Sequence, residues 1–431
     1  MLKQQPKVLY LTWTAILVAL PLPLIILLNT SLLDTISNLF LYDLGLIAYV
    51  WWLAIVYLST RPQWLDRLIG LPAMYFVHGM MGVLALLAIF FHQQFLFSMH
   101  TEIRLTGEWA WYLAVFGIAY AIFFMSGWLV DRMPVAKRLK DRLQIFFKHE
   151  LSVWIHRLHF VMIGLVWLHV HFINRIAILT PFMILFDLYT VYFLSCYVWQ
   201  KYIVDFGSLV QGELIARTSL SPTVQELQIK VPKDHHYQAG DFYFMRFKDK
   251  RISSEKHPFS VASAPSQDGN ILTFIIQGLG DFTKKVPNLP IDTQVELEGP
   301  FGRFCPIIED SSAKQPIILY GLGSGIAPLK SIADEYSGKR SVHIIWSGKN
   351  EQEMYYQEYF ETLAQDNQLT GYHGKAHRFT KEELGEILSA KEMRQGLFFI
   401  VGGAQTLLKV EKTLITLGIS KNRIHDERLT M

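Results

Sequence analysis

Cysteine is nearly absent: Cys196 and Cys305 are the only two in 431 residues. Two thiols form no disulfide framework and no four-thiolate metal site. That scarcity fits a second half folded in a reducing compartment. Charge is scarce too. Asp, Glu, Lys and Arg make up 18% of the chain, below the roughly 25% of soluble proteins. The net charge of +3 provides no strongly basic face, so no nucleic-acid partner is expected. No internal repeat or low-complexity tract occurs.

The missing charge is concentrated in the first half. No charged residue lies between Lys7 and Asp34, between Arg67 and Glu102, or between Glu108 and Asp131. Leu44 to Thr60 is a shorter uncharged run. Leu151 to Asn174 is apolar apart from histidines and Arg157, and Ile176 to Gln200 apart from Asp187. As helices, runs of this kind cross about 30 Å of hydrocarbon. Six spans in a lipid bilayer are expected. The first apolar stretch follows a basic Lys3–Lys7 start. It exceeds a signal peptide's apolar core and no small-residue cleavage site follows, so a retained helix is expected. The segment from Asp131 to Glu150 carries Arg132, Lys137, Arg138, Lys140, Arg142 and Lys148, and the loop before the third span carries Arg61 and Arg67. The opposite loops carry chiefly Arg104 and Arg175. The positive-inside rule then places both termini in the cytoplasm of a plasma (inner) membrane protein.

Composition changes near Lys201. From Gly207 to about Cys305, short alternating segments such as Val224–Val231 and Ile271–Gln277 are punctuated by Gly240-Asp241, Pro287-Asn288 and Gly299-Pro300. This pattern predicts a small antiparallel β-barrel. From Ile317 onward, buried strands alternate with helical segments, which predicts an α/β layer with a parallel sheet.

Four histidines interrupt the apolar runs: His78 with His92, and His156 with His169. Ionisable residues at membrane depth are costly and are functional candidates. Neutral imidazoles are haem-iron ligands. His78 and His92 are 14 residues apart, roughly 21 Å along a helix and within about 40° of the same face. One helix thus offers a ligand near each leaflet. The second pair fits less simply. Thirteen steps from His156 to His169 leave the rings roughly 140° apart on a regular helix, whereas fifteen steps to His171 leave them within about 60°. A local bulge or kink reconciles His169 with the pairing. His159 has the same apolar flanks. His100, His235, His236, His373 and His377 are read as loop residues.

This pattern resembles the ferric reductase-like transmembrane domain shared by NADPH oxidases and ferric reductases. That family has six helices, with ligand pairs on the third and fifth spaced 14 and 13. Trp154-Ile155-His156-Arg157-Leu158 is close to its fifth-helix motif. The resemblance implies two b-type haems, an inner one held by His78 and His156 and an outer one by His92 and His169, favouring His169 over His171. Arg157 is then a candidate for a haem propionate, or an interfacial anchor.

The second half continues the resemblance. In His257-Pro258-Phe259-Ser260, Phe259 can stack on an isoalloxazine and Ser260 can hydrogen-bond it. The segment resembles the FAD signature of ferredoxin-NADP reductase-like domains. Gly280-Asp281-Phe282-Thr283 is similar to the family's second element, where Gly280 and Thr283 approach the FAD diphosphate. Gly299-Pro300-Phe301-Gly302 resembles its turn out of the barrel. Gly321, Gly323 and Gly325, followed by Pro328, form a glycine loop between strand and helix, where amides meet a diphosphate. Its position implies an NADPH site, with Lys349 as a point charge for the 2′-phosphate. The chain departs from the family in Ala327 for Thr, in Val401-Gly402-Gly403 for Cys-Gly-Pro, and in a C-terminal Ile424–Arg428 segment lacking the aromatic that covers the flavin.

The expectation is a multidomain membrane protein: a six-helix transmembrane haem domain (1–205), an antiparallel β-barrel FAD domain (206–305) and an α/β NAD(P)H domain (306–431). Its implied activity is electron transfer from cytoplasmic NADPH through FAD and two haems to oxygen or ferric chelate outside. Outward electron movement gains about 2.3 kcal/mol per 100 mV in a cell that is negative inside. His171, Arg175, His100 and Arg104 are the outer-face groups, and Leu96 stands where the oxidases of higher cells often carry a histidine. The alternative is a haem-carrying electron-transfer subunit serving a partner protein or quinone. The motifs assign no catalytic acid or base and no protein partner.

Overall fold

The computed structural model describes residues 7–32, 38–125, 133–143, 149–204, 209–265 and 270–429. They form two compact units, one comprising residues 5–62 and 72–204, the other residues 63–71 and 205–431. The Lys3–Lys7 start (save Lys7), Asp34, Asp131, Arg132, Lys148 and the 205/206 boundary lie outside the described residues.

The first unit is helical. Among the described residues, six helices are long and apolar enough to cross a membrane: Leu11–Leu32, Leu39–Leu58, Leu71–Phe95, Thr101–Met125, Leu151–Phe172 and Thr180–Val204. A helix satisfies its own backbone polar groups, so these sequences can enter hydrocarbon without orphaned amides. The second span is the most enclosed, with Tyr49, Trp52 and Leu53 buried. Tyr49 stacks on Phe186 at 4.9 Å, and its hydroxyl lies 2.9 Å from that of Thr190. The fifth span is not a continuous helix. Helix His149–His156 ends, Arg157 and Leu158 form a turn, and helix His159–Phe172 resumes. Leu158 N–H donates to Ile155 O at 3.0 Å and Phe160 N–H to Arg157 O at 2.9 Å, a local tightening that resets the helical phase. A separate helix, Pro134–Leu143, carries Arg138, Lys140 and Arg142 of the basic segment.

The second unit contains two sheets. Strands β1 (Val210–Ser221), β2 (Val224–Lys230), β3 (Phe242–Phe247), β4 (His257–Ser260), β5 (Ile271–Gln277) and β6 (Gln294–Phe301) form an antiparallel sheet in the order β4-β3-β6-β1-β2-β5. The barrel expected from the sequence is not closed. Among the described residues its edges meet only at the Val261–Phe274 bridge. Strand β4 has four residues, and Pro258 within it has no N–H to extend a ladder. Leu214, Leu227, Ile229, Tyr243, Phe274 and Leu297 fill the concave side.

Strands β7 (Ile317–Leu322), β8 (Val342–Ser347), β9 (Gly371–Lys375), β10 (Leu397–Gly403) and β11 (Ile424–Leu429) form the second sheet, in the order β11-β10-β7-β8-β9. Every pairing in it is parallel, as the alternating pattern predicts. Ala239, Ala262 and Ile275 share a core with Ile317, Leu329 and Phe399, so the two sheets bury apolar surface together. His373 lies within β9, contrary to its reading as a loop residue. The strand ends soon after Gly374, and that short, half-exposed edge carries little alternating signal.

Candidate functional site

The helical unit brings the four singled-out histidines together in two pairs. The His78 and His156 ring centres are 5.9 Å apart, and those of His92 and His169 are 6.4 Å apart. His78 Nδ1 is 3.0 Å from Ile55 O and His92 Nδ1 is 2.8 Å from Leu41 O, both acceptors on the second span. His169 Nδ1 is 2.8 Å from Ile103 O. A carbonyl only accepts, so in these three rings Nδ1 carries the proton and Nε2 the lone pair. That is the orientation a metal-ligating histidine takes from its outer partners. Among the described residues, Nδ1 of His156 has no hydrogen-bond partner. His171 is arranged differently. Its Nδ1 bonds Trp167 O at 2.9 Å, and its Nε2 faces Asp187 at 3.4 Å. His159 sits beside His156, with Nδ1 2.7 Å from the His156 carbonyl oxygen. The Arg157 guanidinium lies over Trp154, 4.8 Å from the ring centre.

Three glycines make room for these rings. A Cβ at Gly45 would lie 2.8 Å from His92 Nδ1, one at Gly107 3.1 Å from His169, and one at Gly117 2.3 Å from His159. Sequence reasoning did not single them out. A glycine inside a helical run signals a packing requirement but does not say what packs there.

In the second unit, strand β4 and the Gly280–Thr283 turn converge. His257 and Phe259 point to the same side, where Phe282 lies 4.1 Å and 6.2 Å from them by ring centres. Thr283 Oγ1 accepts the amides of Leu279 and Gly280, each at 3.0 Å, which gathers the turn around its own hydroxyl. Pro258 is exposed. Ser260 points to the opposite side, with its Oγ 3.3 Å from Glu427 Oε1. Burial, reinforced by nearby Asp66, Asp241 and Asp426, pushes the Glu427 carboxyl up to about 8 despite the Ser260 bond. Sequence reasoning passed over Glu427, since the C-terminal segment was read only for its missing aromatic.

The glycine loop lies at the C-terminal end of β7 in the five-stranded parallel sheet. Gly321 is the penultimate residue of β7, Gly323 has φ +58°, and helix Ile326–Tyr336 follows. A Cβ at Gly325 would lie 2.2 Å from Val401 O, and one at Gly402, whose φ is +157°, 2.5 Å from Leu322 Cβ. These glycines let the ends of β7 and β10 touch, leaving the helix N-terminus beside a flat backbone surface. Ala327 and Pro328 are buried. Beyond β8, Lys349 N–H donates to Glu353 Oε2 at 3.0 Å, and that oxygen is 3.9 Å from where a Gly323 Cβ would stand. A carboxylate therefore shares the loop with Lys349. Among the described residues no cluster of three or more His, Cys, Asp or Glu is arranged to hold a bare metal ion.

Residues 214–308 match the FAD-binding domain family. The chain is 28% identical over 168 residues to the phenol hydroxylase P5 protein of Acinetobacter pittii, covering 37% of this chain and 46% of that one. It is 26% identical over 167 residues to respiratory burst oxidase homolog protein A of Arabidopsis thaliana, covering 32% of this chain and 18% of that one. A ferredoxin NADP+ reductase from Neisseria gonorrhoeae aligns over 51% of this chain and 98% of its own, at 16% identity and a TM-score of 0.45. The chain spans less than half the length of these curated relatives. Residues 214–308 thus match an FAD-binding domain, and the second half is similar in sequence to the respiratory burst oxidase and to reductase flavoproteins. The six apolar helices ahead of it fit the ferric reductase and NADPH oxidase architecture.

Proposed function

We infer that the protein is a transmembrane flavocytochrome b. It would pass electrons from cytoplasmic NADPH, through FAD and two b-haems, to oxygen or ferric chelate on the outer face. One observation carries this reading: two histidine pairs with ring centres 5.9 and 6.4 Å apart on opposite halves of the same two spans. Two imidazoles that shared one haem iron through Nε2 would have ring centres about 6 Å apart. The residues therefore fit the group. When bound, FAD takes a hydride's two electrons and releases them singly, as haem iron requires.

The chain's own residues supply orientation. Ile55, Leu41 and Ile103 carbonyls hold three of the four imidazoles by Nδ1, fixing Nε2 as the ligand atom. The Arg157–Leu158 turn brings His156 and His169 into phase. His257, Phe259, Ser260, Gly280 and Thr283 would line the flavin. Gly321, Gly323, Gly325, Pro328 and Gly402 would admit the nicotinamide nucleotide. Ser260 and Glu427 hold a proton beside the flavin strand. Residues 63–71 group with the flavin unit, and the chain enters and leaves them through the second and third spans.

The test is turnover by purified protein in lipid. NADPH oxidation coupled to superoxide or to ferrous chelate, with no partner added, is expected. Turnover only with an added protein or quinone would instead establish the electron-transfer subunit.

A further inference from the structure

The loop between the second and third spans contains a short helix, Gln63–Ile69, that packs with residues 205–431 as part of their compact unit. Arg67 makes a two-pronged pair with Asp241, at 2.7 and 2.8 Å, and its Nη1 also donates to Gly302 O at 2.8 Å. Asp66 Oδ2 accepts Gly302 N–H at 2.9 Å. Arg303 Nη1 donates to Ile69 O at 3.4 Å. Both carboxylates are only 1% exposed.

These contacts fall on the backbone that shapes the flavin strand. Asp241 O accepts the amide of Val261, the residue after Ser260, at 2.8 Å. Asp241 Oδ2 also accepts Gln238 N–H at 2.8 Å. Gly302, with φ +142°, lies so close to Asp241 that a Cβ there would stand 2.8 Å from Oδ1. Asp241 thus adjoins the end of β4, Gly302 follows β6 on the other side of β3, and Arg67 ties the two together. A buried carboxylate is stable only when its charge is met. In a module consisting of residues 205–431 alone, Asp241 would keep the Gln238 amide and lose the guanidinium.

We propose that the Gln63–Ile69 helix is a built-in part of the flavin cradle. Arg67 and Asp66 act as positioning residues that hold Asp241 and Gly302, and hence the Ser260 strand, in flavin-binding geometry. The inference rests on the FAD reading of the module and not on the haems. It makes the inter-span loop a component that the flavin site cannot do without. Asp66 and Asp241 also act electrostatically on Glu427, so the same helix shapes the charge around Ser260.

The experiment uses the full-length protein in nanodiscs. FAD affinity is measured by flavin fluorescence on titration into apo-flavin protein, and haem content is measured separately by pyridine haemochrome. Arg67→Ala is expected to weaken FAD binding by about ten-fold or more, as truncating one partner of a buried charge pair does. Arg67→Lys is expected to fall between. The exchanged pair, Arg67→Asp with Asp241→Arg, is expected to recover at least part of the loss, a result that misfolding does not produce. Haem content stays unchanged in each. FAD affinity within two-fold of the parent in both Arg67→Ala and Asp241→Ala overturns the proposal, as does an exchanged pair no better than either single variant. A protein that binds no haem but still loses FAD in Arg67→Ala would sink the flavocytochrome reading and leave this one standing.

Discussion

The ring of His92 stands 6.4 Å from that of His169, while His171, two residues on, turns away to Asp187. On an unbroken helix His171 would have been the better partner. The turn at Arg157–Leu158 changes the phase between the two ends of the fifth span and brings His169 round instead. On the proposed haem reading, His92 and His169 would hold one iron between them, whereas His171 is engaged by a carboxylate.

His169→Ala is therefore expected to cost one of two haems, and His171→Ala none. Haem per protein, by pyridine haemochrome, gives the count. A loss in His171→Ala equal to that in His169→Ala would reverse the assignment.

Gly45 is the floor under His92. Adding one methyl in Gly45→Ala places a carbon 2.8 Å from Nδ1 and pushes the ring off Leu41 O. Losing that bond removes about 1 kcal/mol of orientation. Lower haem occupancy at the outer site and a shifted midpoint potential for that haem are expected, with the inner haem unchanged. Gly79→Ala, where a Cβ would meet nothing within 4 Å, is the control.

Glu427 predicts a pH dependence. Its carboxyl sits at about 8 in the folded module against an ordinary 4.5, so across that window the folded state holds a proton the unfolded chain has released. Stability from this group is full below about 4.5 and is lost as pH rises through about 8. Glu427→Gln should flatten the fall in thermal midpoint of the flavin module between those values. A curve that keeps its slope would show that the proton resides elsewhere.

The Lys349 backbone N–H donates to the Glu353 carboxylate, which places that carboxylate beside the glycine loop. Lys349→Ala should raise KM for NADPH several-fold and leave NADH nearly unchanged. Glu353→Gln should lower KM for NADPH, because a carboxylate beside the 2′-phosphate repels it. Steady-state kinetics with both nucleotides test this. Equal effects of Lys349→Ala on the two would remove Lys349 from 2′-phosphate recognition.

The six spans were legible because uncharged runs of this length have few other destinations. The parallel sheet was legible because its strands read as continuous apolar runs. The barrel's failure to close depends on a four-residue strand carrying Pro258, which local alternation does not expose. The need for a kink could be read from thirteen steps between His156 and His169, but its position at Arg157–Leu158 could not. Gly45, Gly107 and Gly117 face histidines on other helices, contacts that no local window contains. Arg67 was read as a topology charge; its partner Asp241 lies 174 residues later in the sequence. Glu427 was invisible for the same reason, since its neighbour Ser260 is 167 residues away.

The optical spectrum and haem content of protein purified from haem-replete cells test the central claim most directly. Two b-type haems per chain are expected, low-spin with a sharp Soret band, falling to one in His92→Ala and to none when His78→Ala is added. A Soret band that is absent from the parent protein, or that survives in the double variant, would contradict the account.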